Sequence, residues 1–183
     1  MVAVKVSRRV ALAGGTVAVA VLGRKSWANE PGDLSNLKVV QPPKPAPMFT
    51  FQDANGSPHR LSDYAGDGIV LNLWATWCAP CKQELPSLDA LAGMLAGKRI
   101  RVLALSSDRG GATAVQAYYA QHGIKNLHVL LDPEGQAVQA FKAPGIPTTY
   151  IIDRRGLERA YAEGSEAWGT DASVRRVEAL VSV

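Results

Sequence analysis

The sequence predicts an α/β fold in which strands and helices alternate within one domain. From Met48 onward, short apolar runs bounded by turn residues alternate with longer segments whose apolar residues have helical spacing. The length of 183 residues is enough for one such domain with a core of its own. Alternation of this kind indicates a largely parallel sheet with helices packed on it.

The first half of the domain is expected to form a hairpin, a central strand and a long helix. Asn55 and Gly56 are a strong turn signal between two short strands. The next apolar run is nearly continuous, which is typical of a buried central strand. Leucines then form the apolar stripe of a helix. We expect strands over residues 48–52, 59–61 and 69–74 and a helix over 80–96.

The second half continues the alternation and ends on a helix. Gly123 is expected to stop one helix, and Thr170 with Asp171 to cap the last. The two final strands, joined by a tight turn at 153–156, should add an antiparallel edge to the sheet. We expect strands over 100–105, 127–131, 148–152 and 159–162, and helices over 112–122, 134–142 and from 171 on.

Two segments precede the domain, which we place at residues 48–183. Residues 29–47 read as a linker, because four prolines within 42–47 favour extended polyproline geometry over a packed core. Residues 1–28 have the layout of an export signal. Basic residues through Arg9 are followed by an uncharged apolar run at 10–23 and by small residues at Ser26 and Ala28.

The apolar run of the leader is short for a membrane anchor. It has 14 residues, whereas a span needs roughly 20, so we expect cleavage before Asn29 rather than an uncleaved anchor in the inner membrane. The two arginines in Ser7-Arg8-Arg9-Val10-Ala11-Leu12 resemble a twin-arginine signal, although Ala11 and Ala13 depart from its usual pattern. The predicted location is the bacterial periplasm.

The positive net charge belongs to this leader and does not indicate a nucleic-acid partner. Five of the twenty Lys and Arg residues lie in 1–28, which contains no acid. The remaining chain has 15 basic and 16 acidic residues, a formal charge of −1. We therefore exclude nucleic acid as a partner.

Both cysteines lie in one stretch, WATWCAPCKQELP at residues 74–86. A disulfide between Cys78 and Cys81 would close a very small loop and contribute little stability, so a structural staple is disfavoured. Structural zinc needs four ligands, and His59, His122 and His128 show no paired spacing near the cysteines. No metal or other cofactor is predicted, although a two-cysteine copper(I) site stays open.

The remaining reading of the pair is a redox reagent. Cys78 lies where a strand gives way to a helix, so that its sulfur should face unpaired backbone N–H groups that stabilise the reactive thiolate. Cys81 lies one turn later and should be less exposed. Pro80 fits the first turn, where its missing N–H costs no helical bond.

These motifs resemble the active site of the thioredoxin superfamily. The match rests on Trp77-Cys78-Ala79-Pro80-Cys81 between strand and helix, on Pro86 within the helix, and on Gly145-Ile146-Pro147-Thr148-Thr149. The resemblance covers residues 48–183. It implies a central mixed sheet flanked by helices, a cis bond before Pro147, and contact between partner proteins and Trp77, Pro80, Ile146, Pro147 and Thr148.

Within that superfamily, the sequence is most similar to the exported TlpA/ResA-like branch. Cytosolic thioredoxin has a buried aspartate where this chain has Asn72, and the TlpA/ResA branch has a glutamate at the place of Glu84. A central insertion containing 107–111 and 131–135 and an N-terminal β extension also fit that branch. The resemblance implies that Cys78 attacks, that Cys81 resolves, and that Glu84 assists the deprotonation of Cys81. A solvated helix glutamate is the alternative for Glu84.

The resemblance also suggests partners and a direction. No histidine lies between the cysteines, which favours a disulfide reductase over an oxidant. The implied substrates are apocytochrome c or a copper-delivery protein for cytochrome oxidase, and the implied electron donor is a membrane thiol protein of the DsbD or CcdA type. We expect a monomer. A peroxiredoxin is the enzyme alternative, disfavoured because Ala75 stands where its threonine or serine is needed, and a copper(I) carrier is the non-enzymatic one.

Overall fold

A computed structural model of the chain describes residues 34–182. It contains one eight-stranded sheet with the strand order β1-β8-β7-β4-β5-β6-β2-β3. A short 3₁₀ turn, Leu61–Tyr64, follows β3. The other elements are β1 (Lys38–Pro45), β2 (Phe51–Asp53), β3 (Pro58–His59), β4 (Gly68–Trp74), α1 (Ala79–Met94), β5 (Ile100–Ser106), α2 (Gly111–His122), β6 (Leu130–Leu131), α3 (Gln136–Phe141), β7 (Thr148–Ile152), β8 (Leu157–Glu163) and α4 (Asp171–Val181).

Strand β4 is the buried centre of the sheet, as its apolar sequence predicts. All seven of its residues are buried. Its side chains alternate between two apolar clusters, because successive residues of a strand point to opposite faces. Val70 and Trp74 pack in the cluster that contains side chains of α1, α2 and α4. Leu71 and Leu73 pack on the other face, with residues of α3.

The sheet is mixed, so the expectation of a largely parallel sheet is wrong. Of the seven strand pairings among residues 34–182, only β4 with β5 and β5 with β6 are parallel. Strand β7 returns antiparallel beside β4, and β8 pairs with β7. A strand buried on both faces shows the same apolar run whatever the direction of its neighbours, so the sequence pattern did not reveal this. The mixed sheet that the family resemblance implies is the one observed.

The proline-rich segment also differs from the expected linker over its described part. Residues of β1 pair antiparallel with β8, so β1 and not β8 forms this edge of the sheet. Lys38 and Lys44 form ion pairs with Glu163 and Glu158 of β8, at 2.7 and 3.3 Å. Proline is tolerated here because an edge strand has one side that needs no N–H donor. The pairing register shifts between Val39 and Lys44, where prolines interrupt it.

Helix α1 carries the cysteine pair and packs on the sheet through one buried face. Its first residue is Ala79, and Pro80 lies in the first turn, as predicted. Pro86 lies inside the helix, where it removes one backbone N–H from the ladder. The buried side chains of α1 are Cys81, Glu84, Leu85, Leu88, Asp89 and Leu91.

The other predicted elements are present with shifted ends. The predicted range 148–152 coincides with β7. Strands β2 and β6 have only three and two residues, and they pair with each other at two positions. The hairpin of β2 and β3, the C-terminal cap of α2 at Gly123 and the N-terminal cap of α4 at Thr170 are confirmed.

The predicted leader lies outside the described residues. Across 34–182, none of the helices is both long and apolar enough to cross a bilayer. Leu34 and Leu37, at the start of the described chain, are buried in the apolar cluster of α1 and α4. The domain therefore packs against residues that precede the predicted boundary at Met48.

Candidate active site

The two cysteines form a disulfide at the junction of β4 and α1. Cys78 is the residue before the first helical residue, and its Sγ accepts a hydrogen bond from the backbone N–H of Cys81 at 3.3 Å. Cys81 is fully buried, whereas Cys78 retains slight exposure. The predicted position of Cys78 against an N–H group of the helix start is therefore confirmed, and so is the greater burial of Cys81.

A loop before β7 faces this disulfide. The Ile146–Pro147 peptide bond is cis, as the resemblance implies. The carbonyl oxygen of Ile146 lies 3.7 Å from Cys78 Sγ. Thr148 begins β7 and donates from its Oγ1 to the carbonyl of Gly145 at 2.7 Å, which holds the turn of the loop. The structure thus brings the two predicted parts of the site together.

The rim of the site carries an exposed aromatic side chain. Trp77, next to Cys78, is 68% exposed, although large apolar residues are usually covered. Pro80 is exposed beside it, and its carbonyl accepts from Ser165 Oγ at 2.9 Å. An exposed Trp beside a reactive sulfur offers a flat apolar surface to a docking protein. Contact with a partner remains a prediction for Trp77 and Pro80.

Glu84 is buried beneath the disulfide end of α1, with 3% of its surface exposed. Three groups donate to its carboxylate: Asn72 Nδ2 at 2.7 Å, the backbone N–H of Glu166 at 2.9 Å and Trp168 Nε1 at 3.4 Å. Burial nevertheless raises the pKa of Glu84 to about 7, against the lowering effect of these donors. The alternative of a solvated helix glutamate is thereby ruled out, and the carboxyl group can gain or lose a proton near neutral pH.

The raised pKa of Glu84 predicts a pH-dependent stability. The folded protein holds this proton more tightly than the unfolded chain, so stability should fall as pH rises from about 4.5 to about 7 and then level off. Replacing Glu84 with Gln should remove this loss and stabilise the oxidised protein by about 3 kcal/mol at pH 8, with little change at pH 4.5. Urea unfolding of both proteins at the two pH values measures it. The same pH dependence in both would contradict the burial argument.

Two residues of the Glu84 pocket come from the sheet. Asn72 in β4 lies opposite Thr149 in β7 in the strand register. Its Nδ2 donates to Thr149 Oγ1 at 2.9 Å as well as to Glu84. Sequence reasoning noted Asn72 only as a departure from the thioredoxin aspartate and assigned Thr149 no role. Their polar side chains in otherwise apolar strands were the available signal.

The other wall of the pocket is the loop between β8 and α4, which sequence reasoning missed. Trp168 is fully buried and contributes its indole N–H. Glu166 contributes a backbone N–H to Glu84, while its side chain accepts from the backbone N–H of Asn36 at 2.9 Å. Nothing in the sequence marks this loop, because its contribution comes partly from the main chain.

A further contact steadies the turn that leads into Cys78. The buried carboxylate of Asp108 accepts from the backbone N–H of Thr76 at 2.8 Å and from Ser106 Oγ at 2.7 Å, and also from the Thr76 hydroxyl. Asp108 follows β5 within the predicted insertion. It therefore ties the end of β5 to the turn two residues before Cys78.

The structure shows how the histidines are placed. Among residues 34–182, no group of three or more His, Cys, Asp or Glu side chains is arranged to hold a metal ion. His122 stacks on Tyr118 of α2, and His59 stacks on Phe51 of the β2–β3 hairpin.

Comparisons with known proteins agree with this geometry. The model of the AhpC/TSA family matches residues 42–159. The thiol-disulfide oxidoreductase ResA of Geobacillus kaustophilus strain HTA426 is 33% identical over 120 residues, which are 66% of this chain and 68% of that one. ResA of Bacillus subtilis strain 168 is 33% identical over 111 residues, 61% of each chain.

Solved structures share the fold over most of their length. A thiol:disulfide interchange protein from Chlorobium tepidum, described as DsbE, aligns with a TM-score of 0.65 at 26% identity, over 76% of this chain and 96% of that one. The exposed lipoprotein thioredoxin Etrx1 of Streptococcus pneumoniae strain TIGR4 aligns with a TM-score of 0.57 at 30% identity, over 73% and 99%. A mixed sheet flanked by helices is therefore common to these proteins and to this chain.

Proposed function

The chain belongs to the AhpC/TSA family and, within the thioredoxin superfamily, to the ResA-like thiol-disulfide oxidoreductases, and we propose that it reduces disulfides in partner proteins of the bacterial periplasm. The observation that carries the proposal is the arrangement around the disulfide. One sulfur lies at the start of α1, the other is buried, and a buried carboxyl group that titrates near neutral pH lies one turn further along the helix.

The proposed cycle begins with the reduced protein. The thiolate of Cys78 attacks one sulfur of the partner's disulfide, so that this S–S bond breaks, a mixed disulfide forms and the partner's other sulfur leaves as thiolate. Cys81 then loses its proton and attacks Cys78 Sγ. The mixed disulfide breaks, the second partner sulfur leaves, and two electrons have passed to the partner.

Cys78 suits the first step and Cys81 the second. The N–H of Cys81 points at Cys78 Sγ, so a thiolate there would be stabilised by the helix start. Cys81 is fully buried, and burial in apolar surroundings favours its neutral thiol. The second step therefore needs a base close by. Glu84 is the buried carboxyl group that follows on the same helix, and we assign it this role.

The partner is proposed to bind across Trp77 and the loop at Ile146 and Pro147. Trp77 supplies the exposed apolar surface, and the backbone of Ile146 faces Cys78. An extended segment of the partner could pair with this backbone by strand addition. An apocytochrome c or a copper-delivery protein is the proposed partner at this site. A membrane thiol protein would then return electrons to the disulfide.

The direction of electron flow predicts a low reduction potential. Between the cysteines, Ala79 and Pro80 offer no side-chain donor to the Cys78 thiolate, so the reduced form lacks the stabilisation that makes an oxidant. We expect a potential between about −200 and −270 mV, the range of glutaredoxins and thioredoxin. Equilibration with glutathione redox buffers, followed by thiol alkylation, measures it. A value near −120 mV would instead identify a strong oxidant.

Export to the periplasm is proposed from the leader at 1–28. The expected mature protein begins at Asn29, after the small residues of Ser26-Trp27-Ala28. N-terminal sequencing of protein recovered from the periplasm measures this. Recovery of chains that keep residues 1–28, and only from membranes, would show that the leader is an uncleaved anchor.

A further inference from the structure

The side chain of Asn72 is buried with one of its polar atoms unused. Its exposed fraction is 0%. Both protons of Nδ2 are engaged, one by Glu84 Oε1 at 2.7 Å and one by Thr149 Oγ1 at 2.9 Å. Its Oδ1 has no hydrogen-bond partner among the described residues. A buried carbonyl oxygen without a donor costs free energy, which calls for a reason.

The hydrogen-bonding groups around Glu84 suit its ionised form, although burial favours the neutral one. The described residues that hydrogen-bond to its carboxylate all do so through N–H groups: the Asn72 amide, the Glu166 backbone and the Trp168 indole. When Glu84 takes a proton, its new O–H needs an acceptor. The backbone N–H of Glu166 and the indole of Trp168 have no acceptor to offer, because neither nitrogen can accept.

We propose that Asn72 is a positioning residue whose side-chain amide flips when Glu84 changes protonation state. Its Nδ2 donates to the Glu84 carboxylate, and after the flip its Oδ1 accepts from the Glu84 carboxylic acid. The inference deepens the proposed function, because the proton in question is the one that leaves Cys81 Sγ for Glu84 Oε1 in the second step. The flip exchanges the positions of Oδ1 and Nδ2, while the amide group stays beside Thr149 of β7.

Thr149 allows both orientations. Its hydroxyl accepts from Nδ2 in the observed orientation and can donate to Oδ1 in the turned one, since a hydroxyl both donates and accepts. Each orientation leaves one amide atom without a partner: Oδ1 when Glu84 is ionised and Nδ2 when it is protonated. The Oδ1 of Asn72, which has no partner in the structure, is therefore the atom that accepts from Glu84 once Glu84 is protonated.

The charged group that acts on Glu84 from the surrounding elements is the Glu166 carboxylate, in the loop before α4. Its repulsion favours the protonated form of Glu84. Among residues 34–182, the hydrogen-bonding side chains of this pocket are neutral: Asn72 and Thr149 from the sheet, and the indole of Trp168 from the loop. Of the three groups within residues 34–182 that donate to the Glu84 carboxylate, only the Asn72 amide can change from donor to acceptor when Glu84 takes a proton.

NMR of the full oxidised protein tests the proposal without any substrate. The Asn72 side-chain amide protons should show a nuclear Overhauser effect to the Thr149 side chain at pH 9 and lose it at pH 5. The loss should follow the midpoint of the Glu84 carboxyl ¹³C titration. A contact that persists at both pH values while the Glu84 carboxyl titrates would overturn the proposal.

Two variants extend the test. In Glu84→Gln, the neutral amide presents a donor to Asn72 at every pH, so the contact with Thr149 should be lost throughout, and a persistent contact would overturn the proposal. In Asn72→Leu, of similar size, the carboxylate loses its closest donor. The midpoint of the pH profile of the resolving step should then rise, and an unchanged midpoint in the folded variant would equally overturn it.

These readouts separate this inference from the proposed function. Suppose that the Asn72 amide flips as expected but Glu84→Gln resolves at the wild-type rate. The role of Asn72 would then stand, and Glu84 would not be the base. If the amide does not flip but Glu84→Gln resolves slowly, Glu84 remains the base and the proposal for Asn72 is wrong.

Discussion

Replacing Cys81 with serine is expected to turn the enzyme into a covalent trap for its substrate. Cys78 keeps its position at the start of α1 and can still attack a partner disulfide. The sulfur that breaks the mixed disulfide is gone, so turnover should be lost and the adduct should accumulate. Non-reducing gels of periplasmic extracts measure the adduct, which should disappear on adding thiol. Mass spectrometry of the band then separates an apocytochrome c from a copper-delivery protein.

Cys78→Ser is the matched control, because it removes the more accessible sulfur and leaves the buried one. It should trap far less partner than Cys81→Ser. Equal trapping by the two variants would contradict the assignment of attacking and resolving sulfurs. An absence of adducts in both, together with tight copper(I) binding by the unmodified protein, would favour the carrier alternative.

Replacing Glu84 with glutamine is expected to slow the resolving step and leave the first attack nearly unchanged. Gln cannot accept the Cys81 proton, and a positioned general base typically contributes about 10² to 10⁴ in rate. We expect the lower end, about 100-fold, because solvent base can partly replace the carboxylate. Stopped-flow fluorescence of Trp77, which lies beside the disulfide, should separate the two steps.

The pH profile strengthens this test. In the unmodified protein, the resolving rate should rise as Glu84 ionises with its pKa of about 7, and Glu84→Gln should lose that inflection. Glu166→Gln is the control, since it removes a neighbouring carboxylate but keeps the backbone N–H that donates to Glu84. It should keep the inflection, moved to lower pH because the repulsion from Glu166 is gone, and resolve at close to the normal rate above it. Equal slowing of both steps by Glu84→Gln would indicate a structural effect instead.

The chemistry expected of the cysteine pair could be predicted from neighbouring residues alone. A thiol at the start of a helix, a second one turn later and a proline in the first turn are features of adjacent residues, and local backbone rules fix their geometry. The same applies to β4, whose apolar run is typical of a buried strand, and to β7, whose predicted ends coincide with the observed ones. Short-range patterns sufficed there.

The surroundings of the cysteine pair could not be predicted in this way, because they come from segments far apart in the chain. The expected linker contains an edge strand, because β8 offers partners that no local pattern reveals. The resemblance made Glu84 the candidate base, but its burial was not predicted, and its donors Glu166 and Trp168 lie 82 and 84 residues away along the chain. The pKa of a carboxyl group depends on desolvation and on the donors that reach it. Both depend on distant segments that folding brings together. The sequence could therefore identify Glu84 as a candidate, but its pKa follows from the tertiary structure.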